Sequence, residues 1–454
     1  MPRFALSSLV MIAGLMKAQT QDILRDYIYG YAPVVIEATR AIQTAVPDAT
    51  TSPGRAPINQ FAYRDQLSTP AERFIVRPNA DTLYTSAWLD LTNEPVILHV
   101  PDTAVRYYVI PMLDVYSNQF ASIGSRTTGN GEGNYAIVGP FWYGQLPDEL
   151  TGVIHAPTNT VWLNGRTLVH GASDLSDAVG LTHQYKLIPL SAYPDFLATG
   201  DYNPPTGVPV KPVNPDFLGV PVNNSPVFSK PEFFDVLVGV AFRNPPPPEQ
   251  FVEASKFVLS GFIHQNELTS DVASAASAAF ILKVETSGMQ QNGWTVNMDT
   301  GTYSTHYLQR AAIARFGLGA IIPADAVYAS TANDVSGSAL DGTNTYLIHI
   351  PPGQTPPVHG FWSVTVYDEN GFLADNPIHR YSIGSETGLV PNTDGSIDIL
   401  MQNAPPDTLE SNWLPTPAGP FELTLRLYWP DELILNGTWM IPPVEQATTA
   451  PPRE

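Results

Sequence analysis

Two rhythms of apolar positions divide this chain. From Gln21 to Ala45 the residues Ile23, Leu24, Tyr27, Ile28, Tyr31, Val34, Val35 and Ala38 recur at helical spacing, with Asp22, Arg25 and Asp26 between them. That periodicity predicts an amphipathic helix. Pro33 lies inside it and is expected to kink or divide it, because proline lacks an amide donor and crowds the preceding turn. Residues 47–60, PDATTSPGRAPINQ, read as a loop. The pattern then changes to short runs rich in Val, Ile, Tyr, Phe and Trp: FIVRP, TLYTSAWLDL, PVILHV, RYYVIPMLDVY and NYAIVGPFW. These are strand-like. Alternation is clearest from Tyr84 to Asp90, as in a half-buried strand. Asp-Leu-Ser-Asp at 174–177 is expected to open a short helix through Leu181.

The stretch 200–226 is rich in Pro, Asn and Gly and reads as a stiff connector. A helical middle follows over 227–322, with PEFFDVLVGVAF, EQFVEASKFVLSGF, DVASAASAAFILKVETSGM and THYLQRAAIARFGLGAI as its helices. From 323 to 454 strands return in TNTYLIHIP, GFWSVTVYDENGFL, GSIDILMQ and PFELTLRLYWP. DENG and NTDGS are turn sequences, and WSVTVYDENGFL is the strongest hairpin signal. No short repeat at a fixed period stands out. The expected fold class is α+β, predominantly β. It comprises an N-terminal helix and β-rich domain (21–199), the connector, the helical segment, and a C-terminal antiparallel β-sandwich or jelly-roll-like domain.

Composition narrows the function classes. The 454 residues carry 22 Lys plus Arg against 43 Asp plus Glu, a net charge of -21. Such a field repels nucleic acid and anionic lipid surfaces, so neither is an expected partner. No cysteine is present, which excludes a disulfide framework, a thiolate nucleophile and a zinc–thiolate site. Residues 1–20 combine an early Arg3, an apolar run from Ala5 to Met16 and Ala18, and read either as a secretory signal or as the start of the first helix. No later run is long enough to span a bilayer.

Several motifs carry a family likeness. NADTLYTSAWLDL, RYYVIPMLDVYSNQFASIGSRTTG and GPFW resemble the N-terminal domain-of-unknown-function family numbered twelve fifty-four. HGFWSVTVYDENGFLADNPIHRYSIGSET and NWLPTPAGPFELTLRLYWP look like its C-terminal companion, numbered twelve fourteen. The resemblance implies sandwich or jelly-roll parts around a helical segment, a homo-oligomer, and export to the periplasm or beyond.

The candidate chemistry clusters at strand ends. Asn79, Asp81 and Thr82 open a strand and cap its backbone, or else line a site. With Asp114, Tyr116 and Asn118 from LDVYSN and Arg126 from GSRTTG they suggest a polar centre. If the two strands are neighbours, both carboxylates face one pocket with Arg126 opposite. One would then stay ionised beside arginine while the other holds a proton in apolar surroundings. Asp81, Asp114 and Arg126 are the expected catalytic set, with Asn79, Tyr84, Tyr116 and Asn118 positioning a small neutral or aromatic substrate. A hydrolase or lyase is the first reading; a ligand-binding or structural protein outside the cell is the second. The same oxygen donors would suit a divalent cation, although no cofactor is required. In the C-terminal part Asn376, Arg380 and Tyr381 either close a turn or rim a cleft that binds a carbonyl or carboxylate. The histidines show no metal-ligand spacing, and the nucleophile elbow and phosphate loop are absent.

Overall fold

The computed structural model describes residues 3–49, 54–73, 77–252, 254–255, 269–283, 288–407 and 410–447, with the side chains of the first helix described from residue 23 onward. Residues 74–76 of the expected strand at FIVRP, most of the helix at EQFVEASKFVLSGF and the side chains of the signal-like segment lie outside the described residues.

Helix α1 spans Arg3–Gln43 and runs unbroken through Pro33. Proline at 33 leaves the carbonyl of Tyr29 without its helical donor. The guanidinium of Arg310 supplies one instead, its Nη2 donating to Tyr29 O at 2.7 Å. A distant side chain thus replaces the missing hydrogen bond, which is why the expected break does not occur. Tyr27, Tyr31, Val34, Val35 and Ala38 of α1 are buried against Phe233, Leu237, Phe280, Ala311 and Ala312. The last five come from helices Glu232–Arg243, Ser270–Lys283 and Tyr307–Phe316. This helical layer also covers Trp88, Leu113 and Trp162 on the first sheet.

The N-terminal strands are β1 (Phe61–Tyr63), β2 (Thr82–Asp90), β3 (Val96–Val100), β4 (Tyr108–Asp114), β5 (Gln119–Gly124), β6 (Gly133–Val138), β7 (Gly152–His155), β8 (Thr160–Leu168) and β9 (Lys186–Pro189). They form two sheets, ordered β1-β2-β8-β4-β5 and β7-β6-β3-β9. The sheets enclose one core that includes Leu89, Leu98, Ile110, Ile137 and Leu163. The C-terminal strands begin with the hairpin β10 (Met289–Gln291) and β11 (Trp294–Asn297), in a stretch whose composition reads as helical. It is followed by β12 (Ala326–Thr331), β13 (Thr345–Ile350), β14 (Trp362–Asp368), β15 (Ser382–Gly384), β16 (Ile397–Gln402), β17 (Trp413–Pro415), β18 (Phe421–Tyr428) and β19 (Glu445–Ala447). Their sheets run β10-β11-β12-β18-β14-β15 and β17-β16-β13-β19. A second core, including Val327, Ile348, Val364, Ile399 and Leu425, fills this sandwich. The fold is therefore α+β with two β-sandwiches, antiparallel apart from the parallel edge pairs β6–β7 and β16–β17. The expected hairpin at WSVTVYDENGFL is only half formed. Asp368 closes the turn, accepting from the amides of Asn370 and Phe372, but β14 then pairs with β15 and β18.

The two sandwiches are copies of one plan. Dropping β10, each places its first, second, fourth, fifth and eighth strands in one sheet and the rest in the other. The registers coincide. Tyr84 pairs with Arg166, Arg166 with Val109, and Val109 with Gly124. Tyr328 pairs with Arg426, Arg426 with Ser363, and Ser363 with Gly384. In each copy a serine after the glycine accepts from a backbone amide, Ser125 from Tyr108 at 3.1 Å and Ser385 from Trp362 at 3.2 Å. Both glycines are forced by backbone contact. A Cβ on Gly124 would sit 2.5 Å from Tyr108 O, and one on Gly384 would sit 2.0 Å from Trp362 O. The matching words are PNADTLYTS with PADAVYAS, and SIGSRTTG with SIGSETG. They are too short and too far apart to announce a repeat by period.

Candidate functional site

The strand β8, which carries Arg166, separates β2 from β4. The sequence pattern of VWLNGRTLVHG is broken by Asn164 and Gly165, so it gives a weak strand signal. Its presence changes the geometry of the candidate residues. Asp81 immediately precedes Thr82, which pairs with Leu168, whereas Asp114 pairs with Val161 at the opposite end of β8. Seven residues of extended strand, about 23 Å, therefore lie between them. The structure does not bring Asp81 and Asp114 to one pocket.

Asp114 sits at the helical end. It is buried and accepts from Asn118, whose amide N donates at 2.8 Å and whose Nδ2 donates at 3.1 Å. Burial pushes its carboxyl up to about 6, partly countered by the Asn118 bonds. Beside it Arg310 is fully buried, donating to Gln250 Oε1 at 2.9 Å and facing the rings of Tyr29, Tyr307 and Tyr116 at 4.9, 5.1 and 5.8 Å. The Tyr116 hydroxyl donates to Asn244 O at 2.9 Å. These groups tie the sandwich to the helices.

Asp81 and Arg126 lie at the other end, on the seam between the two sandwiches, but in separate networks. Asp81 reaches the C-terminal sandwich and accepts from Ser363 and Ser382, each at 2.5 Å. Its equivalent Asp325 reaches the N-terminal sandwich, accepting from Arg126 Nε at 2.6 Å and Gln119 Nε2 at 2.5 Å. The two aspartates are thus reciprocal latches. Asn79 accepts from the Asp81 amide at 2.5 Å and donates through Nδ2 to the Tyr428 hydroxyl. Tyr107 and its equivalent Phe361 meet edge to face across the seam, 5.5 Å apart.

Between the latches lies a set of groups that sequence patterning missed. Arg166 is surrounded by the phenols of Tyr328, Tyr84, Tyr428 and Tyr107. Burial raises the hydroxyls of Tyr107, Tyr328 and Tyr428, which remain neutral donors. Among the described residues no carboxylate lies within ion-pair reach of Arg166; it donates only to the carbonyls of Asn164 at 2.9 Å and Gly319 at 3.3 Å. On the same sheet face Tyr84, Ser86 and Asn164 keep accessible surface, as does Tyr328 opposite, while Trp88, Trp162, Phe361 and Tyr428 around them are buried. Partly exposed polar groups therefore lie between two apolar clusters. The register Tyr84–Arg166 was the available signal, hidden because β8 and β12 are weakly patterned.

The C-terminal candidates form a turn of their own. Asn376 accepts from the Arg380 amide at 3.0 Å and donates to Arg380 O at 2.9 Å. Arg380 donates through Nη1 to Trp413 O at 2.7 Å and Glu410 O at 2.8 Å, bracing β17. The Tyr381 hydroxyl lies 3.2 Å from Nδ1 of the exposed His379. Among the described residues no group of three or more His, Asp or Glu side chains could hold a metal ion, and no helix is long and apolar enough to cross a membrane.

Comparison with known proteins agrees with this architecture. The VPA0106 protein from Vibrio parahaemolyticus, known from its crystal structure, superposes with a TM-score of 0.69 at 25% identity, covering 94% of this chain and 100% of that one. An uncharacterized protein from Burkholderia cenocepacia aligns at 15% identity and a TM-score of 0.45, over 96% and 97% of the two chains. No functionally curated protein matches the sequence. The family described as "Protein of unknown function (DUF1254)" matches residues 58–189, and "Protein of unknown function (DUF1214)" matches residues 325–432. The first span covers β1 to β9 and the second β12 to β18, so the chain carries a DUF1254 match followed by a DUF1214 match, in a two-domain arrangement.

Proposed function

We propose that this protein binds a small molecule in the recess between its two sandwiches. The observation that carries the reading is the partial exposure of Tyr84, Ser86, Asn164 and Tyr328 inside a ring of buried aromatic side chains. Polar groups with accessible surface at a domain interface, walled by apolar rings, are the usual make-up of a ligand site. Hydrolase or lyase chemistry through Asp81, Asp114 and Arg126 draws less support, because acid–base work needs both carboxylates within reach of one substrate. A panel of neutral and anionic aromatic and sugar probes at millimolar concentration tests the proposal by thermal shift. At a hundredfold excess over Kd a bound probe stabilises the fold by about 2.7 kcal/mol. At least one probe is expected to stabilise the wild type and to lose its effect in Ser86→Trp, which fills the recess. A panel without any stabilising probe, or an equal shift in the filled variant, overturns the reading.

A further inference from the structure

Comparing the two halves of the duplication residue by residue separates structural arginine from available arginine. Arg426 is clamped by side chains of its own sandwich, donating to Thr365 Oγ1 at 2.8 Å and the Tyr367 hydroxyl at 2.6 Å, and also to Arg77 O at 2.9 Å. In the N-terminal copy the register puts Pro111 where Thr365 stands and Leu113 where Tyr367 stands. Neither offers an acceptor, so among the described residues Arg166 donates only to two carbonyls, its guanidinium lying 5.8 Å over the Tyr84 ring. The neighbouring pair diverges in the same sense. Ser330 and Thr424 satisfy each other at 3.2 Å, whereas the equivalent Ser86 accepts from Trp162 Nε1 at 3.0 Å. The Asn164 side chain, opposite Ser86, has no hydrogen-bond partner among the described residues and is partly exposed.

The surplus is one-sided. The guanidinium of Arg166, the amide of Asn164 and the neutral hydroxyl of Tyr328 all have hydrogens to donate, and among the described residues no carboxylate pairs with Arg166. A buried guanidinium without a counter-charge is costly, and a planar oxyanion accepting from its fork restores the balance. Resting on the binding reading above, we infer that the ligand carries a carboxylate, which docks on Arg166 and Asn164 while its apolar body lies toward Trp88 and Trp162.

Benzoate and benzamide share one shape and differ in charge, so ligand-observed NMR titration with both tests the class. Benzoate is expected to bind at least about tenfold more tightly than benzamide to the wild type, the difference a charge-assisted bidentate bond makes. Arg166→Met is expected to remove that preference, bringing benzoate down to the affinity of benzamide or below; Asn164→Leu is expected to weaken it in part. Far-UV circular dichroism checks the fold of each variant, and Arg166→Lys, which keeps the charge but loses the fork, restores a fraction of the preference. Equal binding of the two probes, or a preference that survives Arg166→Met, overturns the carboxylate assignment and leaves the recess as a site for neutral ligands. Failure of both probes to bind overturns the assignment, and the wider panel then decides the recess independently.

Discussion

The reciprocal latch at Asp325 can be broken in a way that measures how the two sandwiches are coupled. Asp325 is 1% exposed and holds Arg126 Nε at 2.6 Å and Gln119 Nε2 at 2.5 Å, both from the other sandwich. Replacing Asp325 with Ala removes a charge-assisted bond, worth about 2 kcal/mol, and strands the Gln119 donor at a further cost of about 2 kcal/mol. The Arg126 side chain keeps 27% of its surface and can turn to water, so its own loss is small. Asp325→Ala should therefore cost about 4 kcal/mol. Arg126→Ala leaves the buried carboxylate with Gln119 alone and should cost about 3 kcal/mol. The double variant should cost little more than Asp325→Ala, giving a coupling of about 2 to 3 kcal/mol. Urea unfolding followed by tryptophan fluorescence and circular dichroism provides the assay, with coincident transitions as the check on cooperativity. Energies that add within about 0.5 kcal/mol would refute the reasoning, since independent sites behave that way.

Other consequences follow from the same contacts. Asp81→Ala loses bonds from two neutral serines and should cost about 2 kcal/mol, less than Asp325→Ala in the same unfolding assay. Arg426→Met, which empties four hydrogen bonds, should lower stability by about 3 kcal/mol, whereas Arg166→Met should be neutral or stabilising in the unliganded protein because it removes an uncompensated buried charge. Gly124→Ala and Gly384→Ala should each cost more than about 2 kcal/mol, because backbone rather than a movable side chain blocks the Cβ. Burial raises Asp114 from its ordinary 3.8 to about 6, so the fold binds its proton more tightly than the unfolded chain does. Its contribution is present below about pH 4 and is lost as pH rises through about 6, a swing of about 3 kcal/mol. Asp114→Asn should flatten this part of the stability profile, and a profile unchanged by the substitution would contradict it.

What the sequence determined by itself is local. Helical spacing around Tyr27 to Ala38, the alternation at Tyr84 to Asp90 and the turn chemistry of DENG and Asn376 all report on neighbours in the chain, and the architecture they imply is present. Tertiary structure alone decided which strands pair. β8 lies between β2 and β4, so Asp81 and Asp114 stand at opposite ends of one sheet instead of facing each other. It also decided that Pro33 breaks nothing, since the compensating donor comes from Arg310, far along the chain. The duplication was invisible for a related reason. Its shared residues, Asp81 and Asp325, Tyr84 and Tyr328, Arg166 and Arg426, are few and scattered, and they become equivalent only when strand registers superpose them. Periodicity records what a residue's own segment buries. A site assembled from two domains depends on contacts between segments, and those exist only once the sheets have formed and packed.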